Sequence, residues 1–185
     1  MVVGRMKYLR RLIWHIASRL LIVTLVLGMM VVSFYYAMNM TNMYVVLKDG
    51  MARRAQVVMM QEDVSELPKF FQTSFLSRDT VVQDVLNGVS PYRDYNVRGI
   101  DHRLEMGFTW VWPWDNTARV DIIERIPRID GRVKGTKAEE YIATYGEDAI
   151  YPPEWSSARY RVQMVKENGQ WHIRSLTLLE AVMDE

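Results

Sequence analysis

Between Leu20 and Leu47 the chain runs for 28 residues without one Asp, Glu, Lys or Arg. At 1.5 Å of rise per helical residue this is a rod of roughly 42 Å, whereas a bilayer core asks for about 20 residues. The stretch is therefore read as a transmembrane helix over 20–39 that emerges from the bilayer and continues as helix beyond it. Its flanks are unequal. Residues 1–19 carry Arg5, Lys7, Arg10, Arg11 and Arg19 and no acid, while 18 basic and 22 acidic side chains lie from residue 48 onward. Short basic flanks stay on the cytoplasmic side. The expectation is a cell-membrane protein with its N-terminus inside and its C-terminal domain outside. The rival, a cleaved signal peptide, shares the basic start. Against it stand the length of the apolar run and the presence of Phe34, Tyr35 and Tyr36 where a cleavage site has small side chains. Trp14 and the Tyr35–Tyr36 pair suit the inner and outer interfaces.

The organisation read from this anchor is a basic cytoplasmic tail (1–19), the membrane helix (20–39), a stalk or first helix of the outer domain (40–61), and an extracytoplasmic α+β domain (62–185). About 138 residues after the apolar run make one ordinary domain. Its weakly acidic balance argues against a nucleic-acid partner, which calls for a basic face. The absence of Cys excludes disulfides, a thiol nucleophile, cysteine metal sites and cysteine lipidation.

Along the outer chain, Met43, Leu47, Met51, Ala55 and Val58 recur at helical spacing, with Lys48, Arg53, Arg54 and Gln56 assigned elsewhere on the helix. Gly50 is its one soft point. Ser65–Pro68 resembles a helix start, with Phe70, Phe71 and Phe75 on one side, and Thr80–Leu86 reads as a short helix ended by Asn87-Gly88. From Tyr95 the period becomes two. Ile100, His102, Leu104, Met106, Phe108, Trp110 and Trp112 alternate with mostly polar residues, which predicts a long strand over 96–112. A turn at Pro113–Asn116 leads to a second strand over 117–126. Pro127–Thr136 reads as a Gly- and charge-bearing connection, with a bent strand end as the alternative, and a short helix is expected over Ala138–Tyr145. Asn168-Gly169 between two alternating runs predicts a closing hairpin.

Helices first and an antiparallel meander afterwards make an α+β fold with a curved sheet. Helices at 41–61 and 65–86, strands at 96–112 and 117–126, and the hairpin YRVQMVKENGQWHIRSLTL resemble the cone-shaped nuclear transport factor 2-like superfamily. A charged Asn-Gly turn followed by Trp-x-Ile is common there, and some 20 irregular residues before Trp155 depart from its pattern. With one N-terminal anchor in front, the chain is similar to the single-pass scaffold subunits of bacterial conjugation and type IV secretion machines. Extracytoplasmic sporulation proteins have a similar build. The resemblance implies a non-enzymatic assembly subunit whose partners are the membrane, other envelope proteins and a second copy of itself.

The superfamily also holds small-molecule isomerases, so chemistry has to be sought in the residues. His102, in phase with Leu104 and Met106, points inward and is the candidate general base. Its simpler reading is a core histidine with one hydrogen bond. Glu124 is the one acid in the apolar phase of its strand and the candidate inward carboxylate. For Glu124, which sits near the expected strand end, as for Asp101, Glu105 and Asp121, solvated cross-strand charge pairs with Arg103, Arg119 and Arg125 are the simpler reading. His15 lies in the membrane flank, and His172 reads as exposed. No HExxH, GxSxG, Walker or GxGxxG motif is present, so neither a metal nor a cofactor is expected. For partner binding the candidates are Met51 and Val58 on the helix and Trp112 and Trp114 at the strand end. Trp110 and Trp112 share the apolar strand face, so core packing is their first reading and partner contact the second, while Trp114 at the turn suits an exposed recognition tip. Six basic residues between Arg119 and Lys137, against three acids, bias that stretch toward acidic partners or lipid headgroups.

Overall fold

The computed structural model describes residues 2–182, with side chains from residue 10 on. The basic side chains of Arg5 and Lys7, and residues 183–185, lie outside the described part. Two compact units are present, 1–40 and 41–185. Helix α1 spans Val2–Met60 and contributes to both. In the first unit its side chains from Leu20 to Tyr35 are exposed. Among the described residues α1 is the one helix long and apolar enough to cross a membrane.

In the second unit the C-terminal part of α1 is the central core helix. Met43, Leu47, Met51, Ala55 and Val58 are all buried, as their spacing predicts. A short 3-10 turn (Val64–Lys69), α2 (Thr73–Leu76) and α3 (Thr80–Leu86) come next, with Asp63 and Asp79 capping the 3-10 turn and α3 through their carboxylates. The chain then makes four antiparallel strands, β1 (Tyr95–Met106), β2 (Thr117–Val133), β3 (Ala158–Glu167) and β4 (Gln170–Ala181), in the order β1-β2-β3-β4. The fold is α+β, and the sheet is open.

One sheet face meets the helices. Along β2, Ala118, Val120, Ile122, Glu124 and Ile126 alternate inward, a period of two that places every second side chain on the core. The core divides along the helix. Met43, Leu47 and Met51 pack with Val111, Ala118, Ile122, Met164, Trp171 and Ile173. Ala55, Val58 and Met59 pack with Tyr92, Tyr95, Val97, Ile126 and Val133. The helix thus runs from the end carrying the β1–β2 loop and the β3–β4 turn to the end carrying the start of β1 and the end of β2. That turn is Asn168-Gly169, with φ of 50° and 82°, the double positive φ of a two-residue hairpin. The outer edge of β4 is capped in part by the chain after the 3-10 turn. Ile173 donates to the Phe70 carbonyl at 2.7 Å and accepts from the Gln72 N–H at 2.9 Å.

Three sequence expectations are corrected. The first strand ends at Met106, not Trp112. At Gly107 the N–H still bonds the Asp121 carbonyl (2.8 Å), but the chain then leaves the ladder, and Val111 is buried in place of Trp110 and Trp112. The second strand continues through Pro127 to Val133, pairing Asp130 with Gly99 and Val133 with Tyr95. Gly50 is a packing position: a Cβ there would stand 2.8 Å from Phe70 Cβ. The short helix expected over Ala138–Tyr145 is present as α4, and the stretch before Trp155 covers one end of the sheet, where Tyr141 and Trp155 join Tyr95 and Ile126.

Candidate functional site

Ionisable side chains are costly to bury unless paired, so those inside the core are the natural place to look for chemistry. Arg54 and Asp79 are buried, as is Glu124, and the His102 side chain is nearly so. Each comes from a different element. Arg54 sits on the core stripe of α1, three residues after Met51 and four before Val58. Asp79 is the N-cap of α3, Glu124 occupies the inward phase of β2, and His102 lies at an irregularity of β1 between Asp101 and Arg103.

Arg54 binds Asp79 through two parallel bonds, Nε to Oδ2 at 2.6 Å and Nη2 to Oδ1 at 2.9 Å. Asp79 Oδ1 also accepts the Val81 N–H at 3.2 Å, so one carboxylate both caps a helix and neutralises a buried cation. Burial alone would lower the Arg54 pKa. The hydrogen bond and charge of Asp79, followed by the charge of Glu124, outweigh it and hold the pKa above its ordinary value. His102 Nε2 and Glu124 Oε1 are 3.1 Å apart, while the other Glu124 oxygen is buried with no hydrogen-bond partner. Tyr160 on β3 completes the surroundings. Burial first, then the Glu124 charge, pushes its phenol above the usual range, with Arg54 opposing.

The inward phase expected of His102 and Glu124 is present, and the two meet across β1 and β2. Sequence reasoning missed Arg54 and Asp79. The signal for Arg54 was its place in the Leu47–Met51–Arg54–Val58 series, which its charge disguised. The signal for Asp79 was a cap residue directly before a short helix.

The partner candidates separate. Met51 and Val58 are corrected: both are buried in the domain's own core and offer no surface to a partner. Trp112 and Trp114 lie on the surface, 41% and 67% exposed, and stack face to face with ring centres 5.1 Å apart. Trp110, 56% exposed, meets Trp112 edge-on at 5.2 Å. The reading of Trp110 and Trp112 as core is therefore replaced by that of a surface ledge. The Asp115 carboxylate holds its turn by accepting the Trp112 N–H at 2.9 Å.

On the sheet face away from the helices the acids form ion pairs, Glu105 with Arg125 and Asp121 with Arg161. Asp121, on this solvated face, is held below the ordinary carboxylate range chiefly by its hydrogen bonds from Arg161. A cleft of about 840 Å³ opens where β1 begins and β2 ends, lined by Asn96, Arg98, Asp130, Arg132 and Lys134. It gathers part of the basic bias noted in the sequence, and none of its lining residues belongs to the buried cluster. Among the described residues no three His, Asp or Glu side chains come together to hold a metal ion.

No family model, curated protein or solved structure matches this chain.

Proposed function

We propose that the chain is a single-pass, non-enzymatic assembly subunit of a bacterial envelope complex of the conjugation, secretion or sporulation kind. In this reading 20–39 cross the cytoplasmic membrane, the N-terminus is inside, and residues 41–185 form a nuclear transport factor 2-like domain outside. The observation that carries it is the use made of α1. Among the described residues a single helix supplies the one apolar segment long enough to span a bilayer and also the core helix of an α+β domain. The buried ion pair of Arg54 and Asp79 fits the same reading, because each group is occupied by the other and ties α3 to the core helix. For an envelope partner the basic cleft of Arg98, Arg132 and Lys134 suits an acidic segment.

The test is crosslinking of the full-length protein in its native membrane, with mass spectrometry of what is recovered. A defined set of envelope proteins, lost when Arg98 and Arg132 are reversed to Glu, is the expected result. Recovery of the chain alone would overturn the reading.

A second reading, a tethered small-molecule-binding or isomerase-like domain, is favoured by one observation: the buried Glu124 oxygen without a partner, beside His102. It requires a ligand that raises the unfolding temperature of the wild type and not of Glu124→Gln.

A further inference from the structure

The aromatic ledge stands in a particular place. The loop 107–116 reads Gly-Phe-Thr-Trp-Val-Trp-Pro-Trp-Asp-Asn and exposes Phe108 (83%) together with Trp110, Trp112 and Trp114. Its one ionisable residue, Asp115, is turned onto the backbone of Trp112. The loop therefore presents indole and phenyl rings, with its single carboxylate engaged by its own backbone, and Arg119 comes shortly after it in the chain.

Its position in the domain is set by two contacts and a neighbouring cleft. The Asn116 carbonyl accepts from the Lys166 N–H at 2.8 Å, which sets the loop beside the β3–β4 turn. Val111, in the middle of the loop, packs in the same cluster as Met43 and Leu47. Asn42, Val45 and Val46 line one cleft with Gly169, Gln170 and Trp171. Residues 42–47 are among the first of this unit, reached within about two helical turns of residue 39, where the apolar span is read to end. The ledge thus occupies the end of the domain at which the chain passes into it.

We infer that the loop 107–116 is a lipid-contacting anchor, seating Trp110, Trp112, Trp114 and Phe108 in the headgroup layer of the bilayer that α1 crosses. Indole is the side chain best suited to that layer, with an apolar body for the acyl boundary and an N–H for the polar side. The ledge would hold the domain against the membrane and leave the basic cleft, at the opposite end of the sheet, free for the envelope partner. This inference rests on the anchored reading proposed for the chain but not on the identity of any partner.

The test uses the full-length protein, with Trp14→Phe to silence the indole of the membrane flank, reconstituted in phosphatidylcholine vesicles. Some vesicles carry bromine on the acyl chain near the glycerol. The protein is expected to float with the vesicles, and its Trp fluorescence to be quenched by the brominated lipid. Most of that quenching should be lost when Trp110, Trp112 and Trp114 are also replaced by Phe, leaving only the buried indole of Trp171 and the half-buried one of Trp155. Flotation with no such quenching, and with the loop indoles open to aqueous acrylamide, overturns the inference while the anchor stands, and assigns the ledge to a protein partner. Failure to float overturns both the anchor and the inference.

Discussion

Arg54 and Asp79 lie 25 residues apart in the chain and meet inside the domain through two hydrogen bonds of 2.6 and 2.9 Å. The pair joins the core helix to the first turn of α3. Removing one partner leaves the other charge in a place where water cannot reach it, which typically costs about 3–5 kcal/mol. Asp79→Ala is expected to fall in that range and to lose the cap as well. Arg54→Met combined with Asp79→Asn should cost less than Asp79→Ala alone, because no buried charge is left unpaired. Urea unfolding of the detergent-solubilised protein measures both, and equal losses would show that the charge pairing is not what matters.

Among the described residues His102 is the one hydrogen-bonding partner of the Glu124 side chain. His102→Ala should therefore cost about 1–3 kcal/mol for a buried carboxyl left unsatisfied. Glu124→Gln keeps the shape and a hydrogen bond to the imidazole and should cost clearly less. The same unfolding experiment decides, and the reverse order would mean that Glu124 is held by something other than His102.

Gly50 touches Phe70 so closely that an added Cβ would meet Phe70 Cβ at 2.8 Å. Alanine gains about 1 kcal/mol of helix propensity over glycine, but forcing a methyl into a packed core costs about 1–3 kcal/mol. Gly50→Ala is expected to lower the thermal midpoint and Gly50→Val to lower it further. A rise with alanine would show that propensity governs this site.

Asp94 receives hydrogen bonds from Lys137 Nζ (2.8 Å) and the Tyr141 hydroxyl (2.9 Å), and these hold its pKa below the ordinary carboxylate range. A depressed folded pKa contributes stability that is present above the unfolded pKa and is lost as pH falls through the folded one. The same contact, chiefly the hydrogen bond to Asp94, raises Tyr141 to about 12. Its contribution is complete below the usual tyrosine pKa of about 10 and is lost as pH rises toward about 12. Asp94→Asn should flatten both flanks of the stability profile and bring the Tyr141 ionisation, followed by tyrosinate absorbance, back toward its ordinary value. An unchanged alkaline flank would separate the two groups.

The chain contains no Cys, so single cysteines report topology without background. Ser156→Cys, on the exposed surface of the domain, should react in intact cells with a thiol reagent that cannot cross the membrane. Ser18→Cys, in the basic flank, should react only after the membrane is opened. The opposite pattern would reverse the orientation.

Much of this architecture is legible in the chain because it rests on short-range pattern. The apolar run of Leu20–Leu47 makes a membrane-length helix from hydropathy alone. The bounds of α3 and α4 and the two-residue turn at Asn168-Gly169 match their local signals, since caps and turn residues act on their own backbone. The inward phase of Glu124 follows the period of two along β2, and that of His102 follows its alternation with Leu104 and Met106 beyond the register shifts of β1. Where the chain leaves the ladder was decided elsewhere. Alternation through Trp112 looks like continuing strand, but β1 stops at Met106, and burial of Val111 against Met43 and Leu47 turns the indoles out. Arg54 reads as a surface charge until Asp79, 25 residues on, is folded against it. Gly50 reads as a weak point until Phe70 covers it. Pattern along the chain was enough for α1, α3 and α4, for the closing hairpin and for a run long and apolar enough to cross a membrane, because each depends on near neighbours. Only the tertiary structure decided which charges are buried and which aromatics are exposed, because each depends on a partner brought from a distant segment.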